Sequence, residues 1–258
     1  MLPTLFLSHG APTLPLMDSP ATTFLRGLAA TLERPKAILV ASAHWETERP
    51  DVTAVAVNDT IHDFYGFPRA LYELTYPAPG DAALAQHVLD LLRDAGMPGT
   101  LDTRRGLDHG AWVPLLLAWP GHDIPVVQLS IQSHFGPEHH EKLGAALAPL
   151  RAEGVLVIGS GSFTHDLSRF RGQAMDAPVQ RDVTAFADWM DSAIRERRHD
   201  DLLAYRKRAP HAVQNHPTDE HLLPLYVAMG AAGPEATPER LHSSAQFSML
   251  RMDAYAFH

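Results

Sequence analysis

The chain has no cysteine among its 258 residues. That absence excludes disulfides, thiolate zinc knuckles, iron–sulfur clusters and thiol catalysis, so any metal must be held by imidazole, carboxylate or water. Concentrated positive charge is also missing. The formal net charge is −9 and the only basic run is "YRKR" around Lys207, which argues against a nucleic-acid or anionic-membrane partner. No apolar run approaches the ~20 residues needed to cross a bilayer, and the first residues lack a basic segment followed by a long apolar one. The expectation is a soluble cytoplasmic protein. Low-complexity tracts, Ser/Gly linkers and repeats of roughly 20–50 residues are absent as well. "PAPGD" (77–81) and "AAGPEATPE" (231–239) therefore read as loops within one domain spanning 1–258, a length that buries roughly 70–75% of the surface of the unfolded chain.

What the chain has in excess is histidine, 16 residues, which no folding argument requires. Short β-rich runs at 4–7, 37–41, 52–57, 124–129 and 155–158 alternate with helical periods at 24–32, 82–95, 139–147 and 183–194. That alternation predicts an α/β fold with a central mixed, partly parallel sheet flanked by helices, since parallel strands need crossover connections. The continuous apolarity of "AILVA" and "GVLVIGS" predicts strands covered on both faces.

Three histidines follow such strands: His9 after "LFLS", His44 after "AILVASA" and His165 after "VLVIGSGSFT". The carboxyl edge of an open α/β sheet is where ligands bind. A single histidine there is ordinarily hydrogen-bonded to nearby backbone, but three in the same context point to a shared site, because neutral imidazole is the commonest metal ligand. "RRGLDHGAWVPLLLAW" puts His109 directly before an apolar helix, and "NHPTDEHLLPLYVAMG" puts His216, Asp219, Glu220 and His221 at the start of another, with His221 expected in its first turn. Helix starts carry free N–H groups and the positive end of the macrodipole. Glu220 and His221 diverge by about 100° on a helix, so at most one of them should reach a common metal. Spacing leaves both a 2-His-1-carboxylate and a tris-His set open.

Taken together, "LSHGAP", "SAHWE", "HDFYGFPRALYELTYPAPG", "GLDHGAWVPL", "GSGSFTHDL" and "HPTDEHLLPLYVA" resemble the DOPA-dioxygenase branch of the class III extradiol ring-cleaving dioxygenases, the superfamily of the protocatechuate 4,5-dioxygenase catalytic subunit. The motifs run in order over about residues 3–246. The resemblance implies a metal held by His9, His44 and His221, where the protocatechuate enzyme carries a glutamate. It further implies that His165 is the catalytic acid/base and that His109 is catalytic and faces substrate. The implied reaction uses Fe(II) and O2 to open a catechol such as DOPA, with Zn(II) as the ion expected in purified protein. The implied partners are thus a small catechol and O2.

The residue types suit that chemistry. Three neutral ligands on one face leave about three open positions, and an imidazole with an unperturbed pKa near ~6.5 can take a catechol proton and return it. The small residues of "GSGS" would admit substrate close to the backbone. In the aromatic segment 61–80, Phe64, Tyr65 and Phe67 are candidate walls for a flat substrate, and Arg69 is a candidate partner for a substrate carboxylate. His216 and Glu220 are candidates to orient a ligand imidazole through its other nitrogen, as Asp108 and Asp166 are for their neighbouring histidines. Two competing functions use the same residues: a zinc hydrolase with bound water as nucleophile, and a non-catalytic metal or ligand binder.

Overall fold

In "TLFLS" and "AILVA" nearly every side chain is apolar, so alternate residues must be buried on opposite sides of a sheet. The computed structural model, which describes residues 1–258, shows that division. Leu5 and Leu7 of β1 (Thr4–Ser8), Ile38 and Val40 of β2 (Ala37–Glu46) and Leu156 and Ile158 of β6 (Val155–Gly161) enter one core cluster. Leu39, Ala41, Val155 and Val157 enter a second on the opposite face, and Phe6 a third.

The remaining strands are β3 (Asp51–Thr53), β4 (Thr100–Asp102), β5 (Val126–Ile131), β7 (Pro238–His242), β8 (Ala245–Gln246), β9 (Leu250–Arg251) and β10 (Ala254–Phe257). Eight of the ten form one sheet in the order β4-β3-β5-β2-β6-β1-β10-β7, while β8 and β9 make a separate ribbon. The block β5-β2-β6-β1 is parallel; β3 meets β5, and β10 meets both β1 and β7, antiparallel. The mixed sheet expected from the alternation of strands and helices is therefore present. Two details differ. The run at 52–57 is strand only at 51–53, and residues 238–239, expected in a loop, begin the edge strand β7. Glu239 and Arg240 are exposed there, and an outer strand with one solvated face carries no apolar run to reveal it.

Helices cover both faces. Pro20–Leu28, capped by Ser19, and His109–Ala118, capped by Asp108, pack on the first cluster. Ala82–Asp94 and Pro137–Ala146 pack on the second, and Arg181–Arg195 on the third. Helix Leu223–Ala232 lies between the second and third: Leu223 and Val227 face one, Leu225 and Tyr226 the other. It is apolar all round because it is buried all round.

Two histidines outside the cavity described below give the core an acid limit. His140 is fully buried; its Nδ1–H donates to Gly136 O at 2.9 Å and its Nε2 accepts from Gln132 N–H at 3.1 Å. His216 donates from Nε2 to Phe163 O at 3.0 Å, and its buried Nδ1 has no partner. Burial holds both down to about 4. Because the unfolded chain takes these protons near pH ~6.5 and the folded one does not, stability should fall as pH drops from there towards 4, by roughly 1.4 kcal/mol per pH unit for each group. Urea unfolding of metal-free protein between pH 7.5 and 5 checks this, and a flat profile contradicts it.

Candidate metal centre and active site

The parallel strands deliver the site at their carboxyl edge. His9 directly follows β1 and donates its backbone N–H to Gly161 O at 2.9 Å. The chain then turns away at Gly10 with φ +68, in the left-handed region, where an added Cβ would meet Met252 Cε at 2.8 Å. His44 lies inside β2 rather than past its end, within the register shift against β5 between Ala41 and Glu46. That irregularity re-aims the side chain towards the site.

His221 arrives from the opposite face of the sheet. Regular helix begins at Leu223, with Pro224 in the first turn where a missing N–H is harmless, so His221 precedes the helix instead of projecting from its first turn. Its segment is pressed onto β6. Ser162 N–H donates to His221 O at 2.8 Å, and a Cβ on Gly161 would sit 2.1 Å from that same oxygen. A Cβ on Gly159 would sit 2.0 Å from Pro224 O. The two glycines of "GSGS" thus admit the backbone of His221 and Pro224, not substrate, and only Ser162 of that stretch lines the cavity.

The three imidazoles converge. His44 Nε2 is 3.1 Å from His9 Nε2 and 3.3 Å from His221 Nε2, and one nitrogen from each residue falls within a single 4.8 Å cluster. Their outer nitrogens fix the tautomers. Ser160 Oγ donates its only proton to Gly110 O, so at 3.1 Å it must accept from His9 Nδ1–H, leaving a lone pair on Nε2. Pro114 lies four residues on from Gly110 in the same helix and has no N–H to give that carbonyl. The Glu220 carboxylate accepts from His221 Nδ1–H at 2.8 Å, so His221 also turns a bare Nε2 inward. His44 Nδ1 stands 3.8 Å from Asp63 Oδ2, close enough for charge attraction but too far for a hydrogen bond.

Burial, followed by mutual repulsion among the rings, holds His9 and His221 well below the usual histidine range, and burial holds His44 down to about 3. All three are therefore neutral at pH 7. Lone pairs about 3 Å apart repel unless a cation lies among them. A metal–nitrogen distance of ~2.0–2.1 Å separates ligand nitrogens by about 2.9–3.4 Å for angles between octahedral and tetrahedral, so the donor set fits a transition-metal ion.

Two members of the cluster, His9 and His44, line a cavity of about 490 Å³ together with His109, His165, Phe64 and Phe67. His165 stacks on His221, with ring centroids 3.4 Å apart and planes 10° apart, and burial lowers it to about 4. His109 opens its helix. Its Nδ1–H and backbone N–H both donate to Asp63 Oδ1, at 2.9 and 3.0 Å, leaving Nε2 available to the cavity. Burial alone would push the Asp63 carboxyl up, but these bonds from His109 hold it below the usual carboxylate range.

Other expected residues lie elsewhere. Tyr65 is 92% exposed and does not line the cavity. Arg69, with its side chain 93% exposed, pairs with Glu73. His216 packs against Phe186 and bonds Phe163 O, so it orients none of the three convergent imidazoles; Glu220 holds His221 through its Nδ1–H. Asp108 caps its helix through Ala111 N–H and accepts from Ser42 Oγ at 2.7 Å, and Asp166 caps the turn at 167–169, so neither orients its neighbouring histidine. The sequence reading missed Asp63 and Ser160. Their partners lie 46 and 151 residues away, and the one available sign was an acidic residue beside the aromatic run "FYGF".

With this geometry established, comparison with known proteins places the chain. The family model described as "Catalytic LigB subunit of aromatic ring-opening dioxygenase" matches residues 3–258. A Beta vulgaris protein named "4,5-DOPA dioxygenase extradiol" is 46% identical over 258 residues, covering 98% of this chain and 96% of that protein. An Escherichia coli (strain K12) protein of the same name is 41% identical over 234 residues, covering 89% and 85%. The crystal structure of an uncharacterized protein from Escherichia coli K12 superposes with a TM-score of 0.84 at 33% identity, covering both chains completely.

Proposed function

The chain belongs to the family of the catalytic LigB subunit of aromatic ring-opening dioxygenases, and from that membership and the histidine cluster we propose that it opens a catechol ring beside one hydroxyl with O2. The ring C–C bond breaks and both oxygen atoms enter the product, so no external reductant is consumed. The observation that carries this reading is the set of convergent Nε2 atoms of His9, His44 and His221, of which His9 and His44 line a cavity that also holds His165 and His109. In this reading His9, His44 and His221 hold Fe(II), and residues 1–258 act as one cytoplasmic catalytic domain; no helix is long and apolar enough to cross a membrane.

When bound, Fe(II) supplies open coordination positions and the redox chemistry that joins catechol to O2. Everything else comes from the chain. His165, neutral at pH 7, accepts a catechol hydroxyl proton and returns it to the opening ring. His109, held by Asp63, offers Nε2 to a substrate oxygen. Phe64 and Phe67 flank the ring plane and exclude water. Zinc is the ion expected in protein purified without added iron, since imidazole sites take it readily.

To test the reading, metal-free protein is loaded anaerobically with Fe(II), offered a catechol panel, and followed by O2 uptake and a yellow ring-opened product. No O2 consumption with any catechol overturns it, and ester hydrolysis by the zinc form in its place would favour the hydrolase. A second expectation concerns Ser160, which fixes the tautomer of His9. Ser160→Ala should weaken metal binding by about 10–100-fold, read by competition with a chromophoric chelator. Unchanged affinity would show that the tautomer is set otherwise.

A further inference from the structure

His44 is the one member of the convergent set whose outer nitrogen makes no hydrogen bond. Ser160 accepts from His9 Nδ1–H and the Glu220 carboxylate from His221 Nδ1–H, whereas the one carboxylate that pairs with His44 is Asp63, with Oδ2 3.8 Å from Nδ1. Asp63 in turn has one oxygen in use and one to spare. Its Oδ1 takes the backbone N–H and the Nδ1–H of His109, at 3.0 and 2.9 Å. Its Oδ2 accepts no hydrogen bond from the protein, and no Lys or Arg pairs with the carboxylate. The two imidazoles that Asp63 faces are themselves in contact, with the ring centroids of His44 and His109 3.9 Å apart.

To turn a bare Nε2 towards the other two imidazoles, neutral His44 must carry its proton on Nδ1. A donor left there without an acceptor neither fixes the ring nor raises the basicity of the coordinating nitrogen. A shift of about 1 Å between ring and carboxylate brings Nδ1–H within hydrogen-bond distance of Oδ2. We propose that Asp63 is a shared positioning residue: one oxygen orders His109, and the other closes onto His44 when the metal binds, so that a single carboxylate sets both the ion's site and the substrate-facing imidazole. This rests on the reading of His44 as a ligand and extends it to a residue outside the ligand set.

Asp63→Asn separates the roles of the two oxygens. The amide oxygen can still accept both protons of His109, but an NH2 group then stands in place of Oδ2 and presents a donor to His44 Nδ1–H. Affinity for zinc, read by competition with a chromophoric chelator, should fall by about 10–100-fold, the usual worth of an outer partner of a ligand histidine. His109→Ala should leave that affinity within about 3-fold of wild type, because it takes no partner from a ligand nitrogen. Wild-type affinity in Asp63→Asn overturns the inference. So does an equal loss in His109→Ala, which would mean that Asp63 acts on the metal only through His109.

A second measurement does not depend on a variant folding. With Co(II) added to the wild-type protein, each ligand imidazole whose outer N–H is held by an acceptor should give a strongly shifted proton resonance that exchanges slowly with water. Three such resonances are expected from the wild type and two from Asp63→Asn; only two in the wild type overturn the inference. Failure of the ligand reading looks different, since full metal content in His44→Ala would remove His44 itself from the site. Loss of metal in His44→Ala beside unchanged affinity in Asp63→Asn would remove the shared carboxylate alone.

Discussion

His44→Ala should lose its metal and its turnover together, with kcat/KM down by about 10³-fold or more and metal content near zero after dialysis. His44 Nε2 is the nitrogen within 3.3 Å of both other candidate donors, so its removal leaves two imidazoles where at least three anchored ligands are needed to hold an exchangeable ion. Outer partners of ligand histidines alone account for about 10–100-fold in affinity, and a direct donor should exceed that. The same substitution should leave the metal-free fold unharmed or slightly firmer. In the absence of an ion, His44 is a partly buried base crowded by His9, His109 and His165, with desolvation as the main cause of its low pKa. Metal content by elemental analysis and Tm with and without chelator separate the two effects: wild type should lose Tm on chelation and the variant should not. Full metal content in His44→Ala would remove this residue from the ligand set.

How much of this site was legible beforehand depended on how local the cause was. His9, His44 and His165 were visible because each follows an apolar run that can only be a buried strand, and the carboxyl edge of such strands is shared ground. Spacing left the choice between Glu220 and His221 open; in the structure the Glu220 carboxylate accepts from His221 Nδ1–H, and the reading proposed above takes His221 as the ligand. The glycines of β6 were visible as small residues, but their use was not. What they face is the backbone of His221 and Pro224, supplied by a segment far along the chain. Asp63, Ser160 and the free carbonyl opposite Pro114 were hidden for the same reason: each acts on a residue brought near by the sheet, not by the sequence. In the fold, buried apolar strands and amphipathic helices were readable, whereas the edge strand β7, with Glu239 and Arg240 exposed, carries no apolar run to reveal it.

His165→Ala and His165→Gln should separate proton transfer from metal binding at the same centre. His165 stacks on His221 and lines the cavity; it is not a member of the His9, His44 and His221 cluster, although it shares a second 4.8 Å group with His221 and Glu220. Both variants should therefore keep metal content and catechol affinity near the wild-type level while kcat falls by ~10²–10⁴-fold, the usual worth of a positioned acid/base. Glutamine retains size and hydrogen bonding but cannot carry a proton, so it should be no better than alanine if proton transfer is what His165 contributes. Added imidazole should restore part of the activity of the alanine variant, whose cavity has room for it, and none of the glutamine variant. A loss of metal in parallel with the loss of rate would make His165 a ligand instead, and a glutamine variant with near-normal kcat would reduce it to a packing partner of His221. Because the convergent nitrogens of His9, His44 and His221 stay in place in both variants, the expected outcome is the first: metal retained, catechol bound, and ring opening limited by a proton with no carrier.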